Sequence, residues 1–293
     1  MLQKASVRRP GDRIAQPKRP VSLKRRHLAG GMLAGFCLTT ALAAAWAAPA
    51  VPPAAGVNLA QSAEQYRPLM TRDIDQSLAG ARLLRARLVA GDVAGAQKAW
   101  IDSRVGWERA EVFTSGFVPD LDEEIDAWPN ALLGFHAIEA KLFGAKRTDL
   151  TPETDALILH LEDLDVKIHH LDLLPQRLLN GTARLAYEVG ESKAGGGESA
   201  FSGTSLNDMR NNVDGIDTAY RTIFAAAVEA NDTRLATAIP QKISELKKEV
   251  DGRDLKSVDP AKLRARSEEL IVLLQQAAPK IGLRSPTLEE IAQ

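Results

Sequence analysis

From Leu59 to the C-terminal residues, apolar side chains recur every three or four positions through long stretches rich in Ala, Leu, Glu, Lys and Arg, with no sustained apolar–polar alternation. That is the pattern of amphipathic helices, because 3.6 residues per turn bring positions i, i+3, i+4 and i+7 onto one face. The composition agrees, since these are strong helix formers. The spacing predicts helices over Leu59–Val89, Val93–Thr114, Leu121–Phe143, Pro152–Leu179, Ala183–Lys193, Leu206–Glu229, Thr233–Val250 and Pro260–Gln276. Gly91-Asp92, Thr151-Pro152, Asn180-Gly181, Asn231-Asp232 and Asp259-Pro260 suit the caps and turns between them. The expected fold class is all-α. Roughly 240 residues in helices of this length exceed one four-helix bundle and suit two bundles packed together, over residues 58–285. Ala194–Thr204, with Gly195-Gly196-Gly197 and Gly203, reads as a loop between the two groups of helices, either a plain linker or a flap over a cleft.

The first 47 residues read as a signal peptide rather than as part of the fold. A leader rich in Lys and Arg is followed by an uncharged apolar run from Leu28 to Ala45, and Ala45-Trp46-Ala47 offers small residues where a signal peptidase reads, with cleavage before Ala48. The export route is open between a general secretory signal and a twin-arginine signal at Arg25-Arg26. Residues 48–57 read as a flexible lead-in.

Export changes the charge balance. The whole chain carries a net charge of −1, but residues 1–47 hold nine of the Lys and Arg and only one acid, which leaves 28 basic against 37 acidic residues. An exported chain near −9 is a poor ligand for nucleic acid and a reasonable collector of cations. The single cysteine, Cys37, lies in the leader, where the preceding Phe36 is a poor match to a lipoprotein cleavage site. A metal site must then use carboxylates, imidazole, backbone and water, which favours Fe, Mn, Zn, Ca or Mg over Cu(I) or Fe–S chemistry.

The stretch Gly134-Phe135-His136-Ala137-Ile138-Glu139 puts an imidazole and a carboxylate three residues apart, on one face of an expected helix. Upstream, Glu108 and Glu111 repeat the spacing, and the acidic connection Asp120–Asp126 must pass near both helices. Acidic pairs from two helices with a carboxylate-rich link can assemble a hard-cation site in a bundle core. Solvated helix faces and a charged loop are the plain alternative. His160 with Asp163, and His169-His170 near Asp165 and Asp172, read as surface or packing histidines. Trp100, Trp107 and Trp128 read as core or interface aromatics, the latter two flanking the candidate site, and Arg104 and Lys193 are candidates to pair with its acids.

Five blocks, WERAE at 107–111, DLDEEID at 120–126, GFHAIE at 134–139, YEVGESK at 187–193 and LNDMRNNVDG at 206–215, follow one another in the order of imelysin-like (M75 peptidase-type) proteins. The closer resemblance is to the EfeO/EfeM branch, periplasmic components of a ferrous-iron uptake system, in a short form without a cupredoxin-like domain. It implies a periplasmic two-bundle protein that binds iron (Fe2+ or Fe3+), with Zn2+, Cu2+ or Ca2+ as further candidates. It also implies delivery to an inner-membrane iron permease, with a periplasmic peroxidase of the same system as a further partner. Carried over by residue, His136 and Glu139 match the signature pair, Glu108 and Glu111 the upstream acidic pair, Asp126 the aspartate ahead of the signature helix, and Glu188 the glutamate of a block that usually reads D-E-V-A-T-S-K. Tyr187 stands where an acid is common, and Ala194–Ser202 is richer in glycine than its equivalents.

Two other functions fit parts of the pattern. A metallopeptidase of the M75 type needs three protein ligands, an open position and a general base, and this chain offers one credible site histidine. A binder of acidic polysaccharide would need a bridging cation, given the negative charge.

Overall fold

The computed structural model describes residues 57–126 and 132–292, so the leader, most of the lead-in and Trp128 lie outside the described residues. The helices are α1 (Leu59–Val89), α2 (Val93–Phe117), α3 (Pro119–Ile125), α4 (Gly134–Glu139), α5 (Thr151–Ile168), α6 (Pro175–Gly190), α7 (Ser205–Ala219), α8 (Ala225–Asn231), α9 (Thr233–Val250), α10 (Pro260–Ala277) and α11 (Leu288–Ile291). No strand occurs among the described residues. None of their helices is long and apolar enough to cross a membrane.

The helix ends follow from local chemistry. Asn58 opens α1 by accepting from the amides of Ala60 and Gln61 at 3.0 and 3.3 Å, and the Asp232 side chain opens α9 by accepting from Leu235 N at 3.0 Å. Both helices run over the residues that the spacing predicts, Leu59–Val89 and Thr233–Val250. The predicted Leu206–Glu229 helix is one rod, α7 into α8, with a widened π turn at Tyr220–Phe224.

Two predicted helices are interrupted. The one expected over Leu121–Phe143 breaks after α3. Leu133 is extended, and Gly134 takes a φ of +60°, in a place where a Cβ would lie 2.0 Å from the Ile125 carbonyl. Only glycine lets the chain turn back against α3 so closely, and the turn sets α4 beside it. The helix expected over Pro152–Leu179 ends at Ile168, and Pro175 opens α6 in its first turn, where its missing N–H leaves no helical bond unmade, whereas Pro68 and Pro240 are carried inside α1 and α9. The helix expected over Ala183–Lys193 is therefore the second half of α6, which stops at Gly190 and leaves Lys193 beyond it, and Asn180-Gly181 lies inside that helix rather than in a turn.

Two packed bundles result. One contains α1, α2, α5 and the short α3 and α4; the other contains α6, α7, α9 and α10. Helix α2 belongs to both, packing on α1 along one side and on α6 and α7 along the other. Trp100, Trp107 and Phe113 of α2 are fully buried, with Met70, Ile74 and Leu84 of α1 and Phe135 of α4. Burial of this apolar surface is the main stabilising contribution.

Candidate metal centre

Arg104, Glu108 and Glu111 stand at i, i+4 and i+7 of α2 and so form one stripe along it. All three are buried where α6 and α7 cover the helix. Two glycines make that cover close: a Cβ on Gly181 of α6 would lie 1.8 Å from the Val112 carbonyl, and one on Gly215 of α7 would lie 2.4 Å from the Arg109 carbonyl. Backbone thus meets backbone on both sides of the stripe, and its charged groups must find partners inside the protein.

Arg104 gathers carboxylates from four segments. Its Nη1 donates to Asp126 Oδ1 at 2.6 Å, and its Nη2 donates to Glu108 and to Glu198 Oε1, the latter at 3.3 Å. Its Nε lies 3.7 Å from Asp208 Oδ2. The guanidinium carbon is 5.4 Å from the ring centroids of both Trp100 and Phe135, an aromatic seat that fixes the cation. Trp100 is held in turn by donating to the Phe135 carbonyl at 3.0 Å.

Lys193, just beyond α6, points its ammonium at Glu108 Oε2, Glu111 Oε2 and Glu198 Oε1, at 2.8, 2.9 and 3.1 Å. The Asn212 amide of α7 donates to Glu108 Oε2 and Glu111 Oε2 at 2.8 and 2.6 Å. Burial, together with the neighbouring Glu108, raises Glu111 well above the ordinary carboxylate range, despite Lys193. Asp208, buried beside Arg104 and accepting from the Ser199 hydroxyl, is pushed up to about 7 by desolvation.

His136 sits between two sets of acids. Its Nδ1 is 3.1 Å from Glu139 Oε2, and its Nε2 is 3.5 Å from Asp126 Oδ1 and 3.7 Å from Glu198 Oε1. Burial alone would favour the neutral ring, but the Asp126 carboxylate outweighs it, aided by hydrogen bonds to Asp126 and Glu139, and raises His136 to about 11. In return Asp126, in spite of its burial, is held well below the usual range by Arg104 and His136. Glu139 is lowered as well, since the pairing with His136 and the Ser202 N–H and Oγ, both 2.8 Å from Glu139 Oε1, outweigh desolvation.

One ligand atom each from Asp126, His136 and Glu198 lies within 4.8 Å of the other two. Carboxylate, carboxylate and imidazole form a donor set that suits Fe, Mn or Zn. A cavity of about 550 Å³ opens beside it, with Asp122, Asp126, Glu188, Lys193 and Glu198 in its walls. Burial raises Asp122 to about 6, against the pull of Arg184.

Of the six residues singled out from the sequence, Glu108, Glu111, Asp126, His136 and Glu139 share this buried cluster, and Glu188 lines the cavity while pairing with Arg184. His169 and His170 are exposed, and His160 is half-buried, 3.7 Å from Glu124 of α3. The segment 191–204 joins α6 to α7 and supplies Lys193, Glu198, Ser199 and Ser202 to the cluster. Glu198 had no signal beyond being the one acid in a glycine-rich stretch, because a loop ligand has no periodicity. Asp208 and Asn212 lie in the LNDMRNNVDG block, whose polar residues at helical spacing mark a buried polar face.

Comparison with known proteins agrees with this architecture. A protein from Staphylococcus haemolyticus named "Efem/EfeO family lipoprotein" is 28% identical over 205 residues, which cover 66% of this chain and 71% of that protein. A protein from Pseudomonas syringae named "Iron uptake system component EfeM" is 26% identical over 240 residues, 78% of this chain and 81% of its own length. The crystal structure of a protein described as an iron-regulated protein A precursor, from Parabacteroides distasonis, superposes with a TM-score of 0.60 at 16% identity and covers 79% of this chain and 98% of that one, a likeness of fold. The imelysin family model, Peptidase_M75, matches residues 62–132 and 129–280, and the chain belongs to that family.

Proposed function

We propose that this protein is an exported, periplasmic cation receptor that captures iron and passes it to an inner-membrane iron permease. The observation that carries the reading is the convergence of Asp126, His136 and Glu198 within 4.8 Å at the wall of an acid-lined cavity. The names of the relatives, an iron uptake component and EfeM/EfeO-type lipoproteins, support iron as the cargo and a location outside the cytoplasm.

In this reading the cation is held by Asp126, the Nε2 of His136 and Glu198, with water from the cavity completing its coordination. Glu139 stands behind the imidazole and orients it, as carboxylates behind metal-bound histidines commonly do. Glu108 and Glu111 are engaged by Lys193, Arg104 and Asn212, and Glu188 guards the approach.

Calorimetric titration of residues 48–293 with Fe(II) under anaerobic conditions, and with Zn(II), Cu(II) and Ca(II), tests the proposal. One equivalent of Fe(II) should bind, and the double variant His136→Ala, Asp126→Asn should abolish binding while keeping the helical circular dichroism. Equal binding by the variant refutes the reading. Metal-dependent cleavage of an unfolded protein substrate would move the assignment to the peptidase chemistry of the family label.

A further inference from the structure

A receptor for cations that buries a lysine in the middle of its acids calls for a physical account. The ammonium of Lys193 has three carboxylate oxygens at 2.8, 2.9 and 3.1 Å, from Glu108, Glu111 and Glu198, and the residue is only 3% exposed. This is the oxygen cage that a bound cation would have, filled here by a charge on a tether. The same Glu198 oxygen also lies 3.7 Å from His136 Nε2, so it faces the Asp126–His136–Glu198 position and the ammonium at once. Arg104 differs: it is fixed between Trp100 and Phe135, whereas Lys193 lies in the wall of the cavity, on the segment that also carries Glu198.

We propose that Lys193 is a tethered cation that permanently fills the seat between Glu108, Glu111 and Glu198. It thereby limits the centre to one metal ion and keeps that ion releasable. The inference rests on the receptor function proposed above. A positive charge sharing a carboxylate oxygen with the metal repels it at short range in a low-dielectric site and competes for that oxygen's charge. Without the ammonium, two buried glutamates would join the ligand set and the affinity would suit storage rather than transfer. A buried lysine costs desolvation and side-chain entropy, and the three carboxylates offset that cost by pairing.

Titration of the wild type and of Lys193→Met with Zn(II), a redox-inert probe, and with anaerobic Fe(II) tests the idea. The wild type should bind one equivalent. Lys193→Met should bind two, the first at least about tenfold more tightly. A variant that binds one equivalent with unchanged Kd overturns the tethered-cation inference alone; a wild type that binds no cation overturns the receptor function with it. Should Lys193→Met fail to fold, the wild type still decides. Acetylation of Lys193 by an amine-reactive ester, followed by peptide mass spectrometry, should stay low with and without saturating Zn(II). A rise on metal addition would show that the metal evicts the ammonium, and overturns the proposal.

Discussion

The Nδ1 of His136 lies 3.1 Å from Glu139 Oε2, and the other Glu139 oxygen is held by the Ser202 N–H and hydroxyl, each at 2.8 Å. Both oxygens are thus engaged on the side of the ring away from Asp126 and Glu198. In the proposed site the two members of the i, i+3 pair then have unequal roles, His136 as a ligand of the cation and Glu139 acting through His136. Glu139→Gln keeps the shape of the side chain and should weaken cation binding by roughly 10–100-fold, the usual effect of losing a carboxylate behind a ligating histidine. His136→Ala should cost more. Calorimetric titration of the two variants separates the roles, and equal losses would place Glu139 among the ligands.

Proton release is a second consequence. His136 keeps its proton up to about pH 11 because Asp126 and Glu139 flank it, whereas a ligating imidazole must be neutral. At the proposed site the cation would therefore compete with a proton, and affinity should rise with pH across the neutral range. Near pH 7, about one proton should leave His136 for each cation bound, and the apparent Kd should fall about tenfold per pH unit. Titrations in buffers of different ionisation enthalpy measure the proton directly. A heat of binding independent of buffer would mean that His136 is not displaced from its proton.

Asp208 gives a stability prediction whose sign follows from its environment. Desolvation, with the charges of Glu108 and Glu198 nearby, raises it to about 7 from the ordinary aspartate range, although Arg104 pulls the other way. A group whose pKa is higher in the folded protein contributes its full stability below the unfolded pKa and loses it as pH rises through the folded one. Between about pH 4 and pH 8 this group should therefore cost roughly 2–4 kcal/mol. Asp208→Asn, which is neutral at every pH, should raise the melting temperature more at pH 8 than at pH 5, because part of the cost is already present at pH 5. Thermal unfolding followed by circular dichroism at the two pH values checks this, and equal shifts at both would contradict it.

Helix periodicity made α1 and α9 legible to their ends, which the side chains of Asn58 and Asp232 cap. The same periodicity ran through the end of α5 at Ile168 and through Leu133-Gly134; the second break is set by one positive φ, and the first is followed by Pro175 in the opening turn of α6. The candidate site was legible where its residues sit at helical spacing, as in Glu108, Glu111, His136 and Glu139. It was hidden at Glu198 and Ser202, which reach the cluster from the segment 191–204 and depend on how that chain is laid over α2 and α4. The pairing of Lys193 with three acids is a further fact of packing, since 82 residues or more separate it from Glu108 and Glu111.

Gly181 and Gly215 tie the bundle packing to the site, and a methyl group tests the link. A Cβ at 181 would stand 1.8 Å from the Val112 carbonyl, which is backbone in the middle of α2 and cannot swing aside as a side chain would. To accept Gly181→Ala, α6 must move off α2, and Lys193 and the chain that carries Glu198 follow α6 directly. Overpacking of this kind typically costs about 1–3 kcal/mol. The expected outcome is a folded protein with a lower melting temperature and a cation affinity reduced at least about tenfold, because displacing α6 by even a fraction of an ångström misplaces Glu198 against His136. Alanine at Gly195, where a Cβ would meet no atom within 4 Å, is the control and should change neither quantity. Melting curves and Zn(II) titrations of the two variants decide the matter: a Gly181→Ala protein that is destabilised yet binds with wild-type affinity would show that the site is insensitive to the α2–α6 spacing.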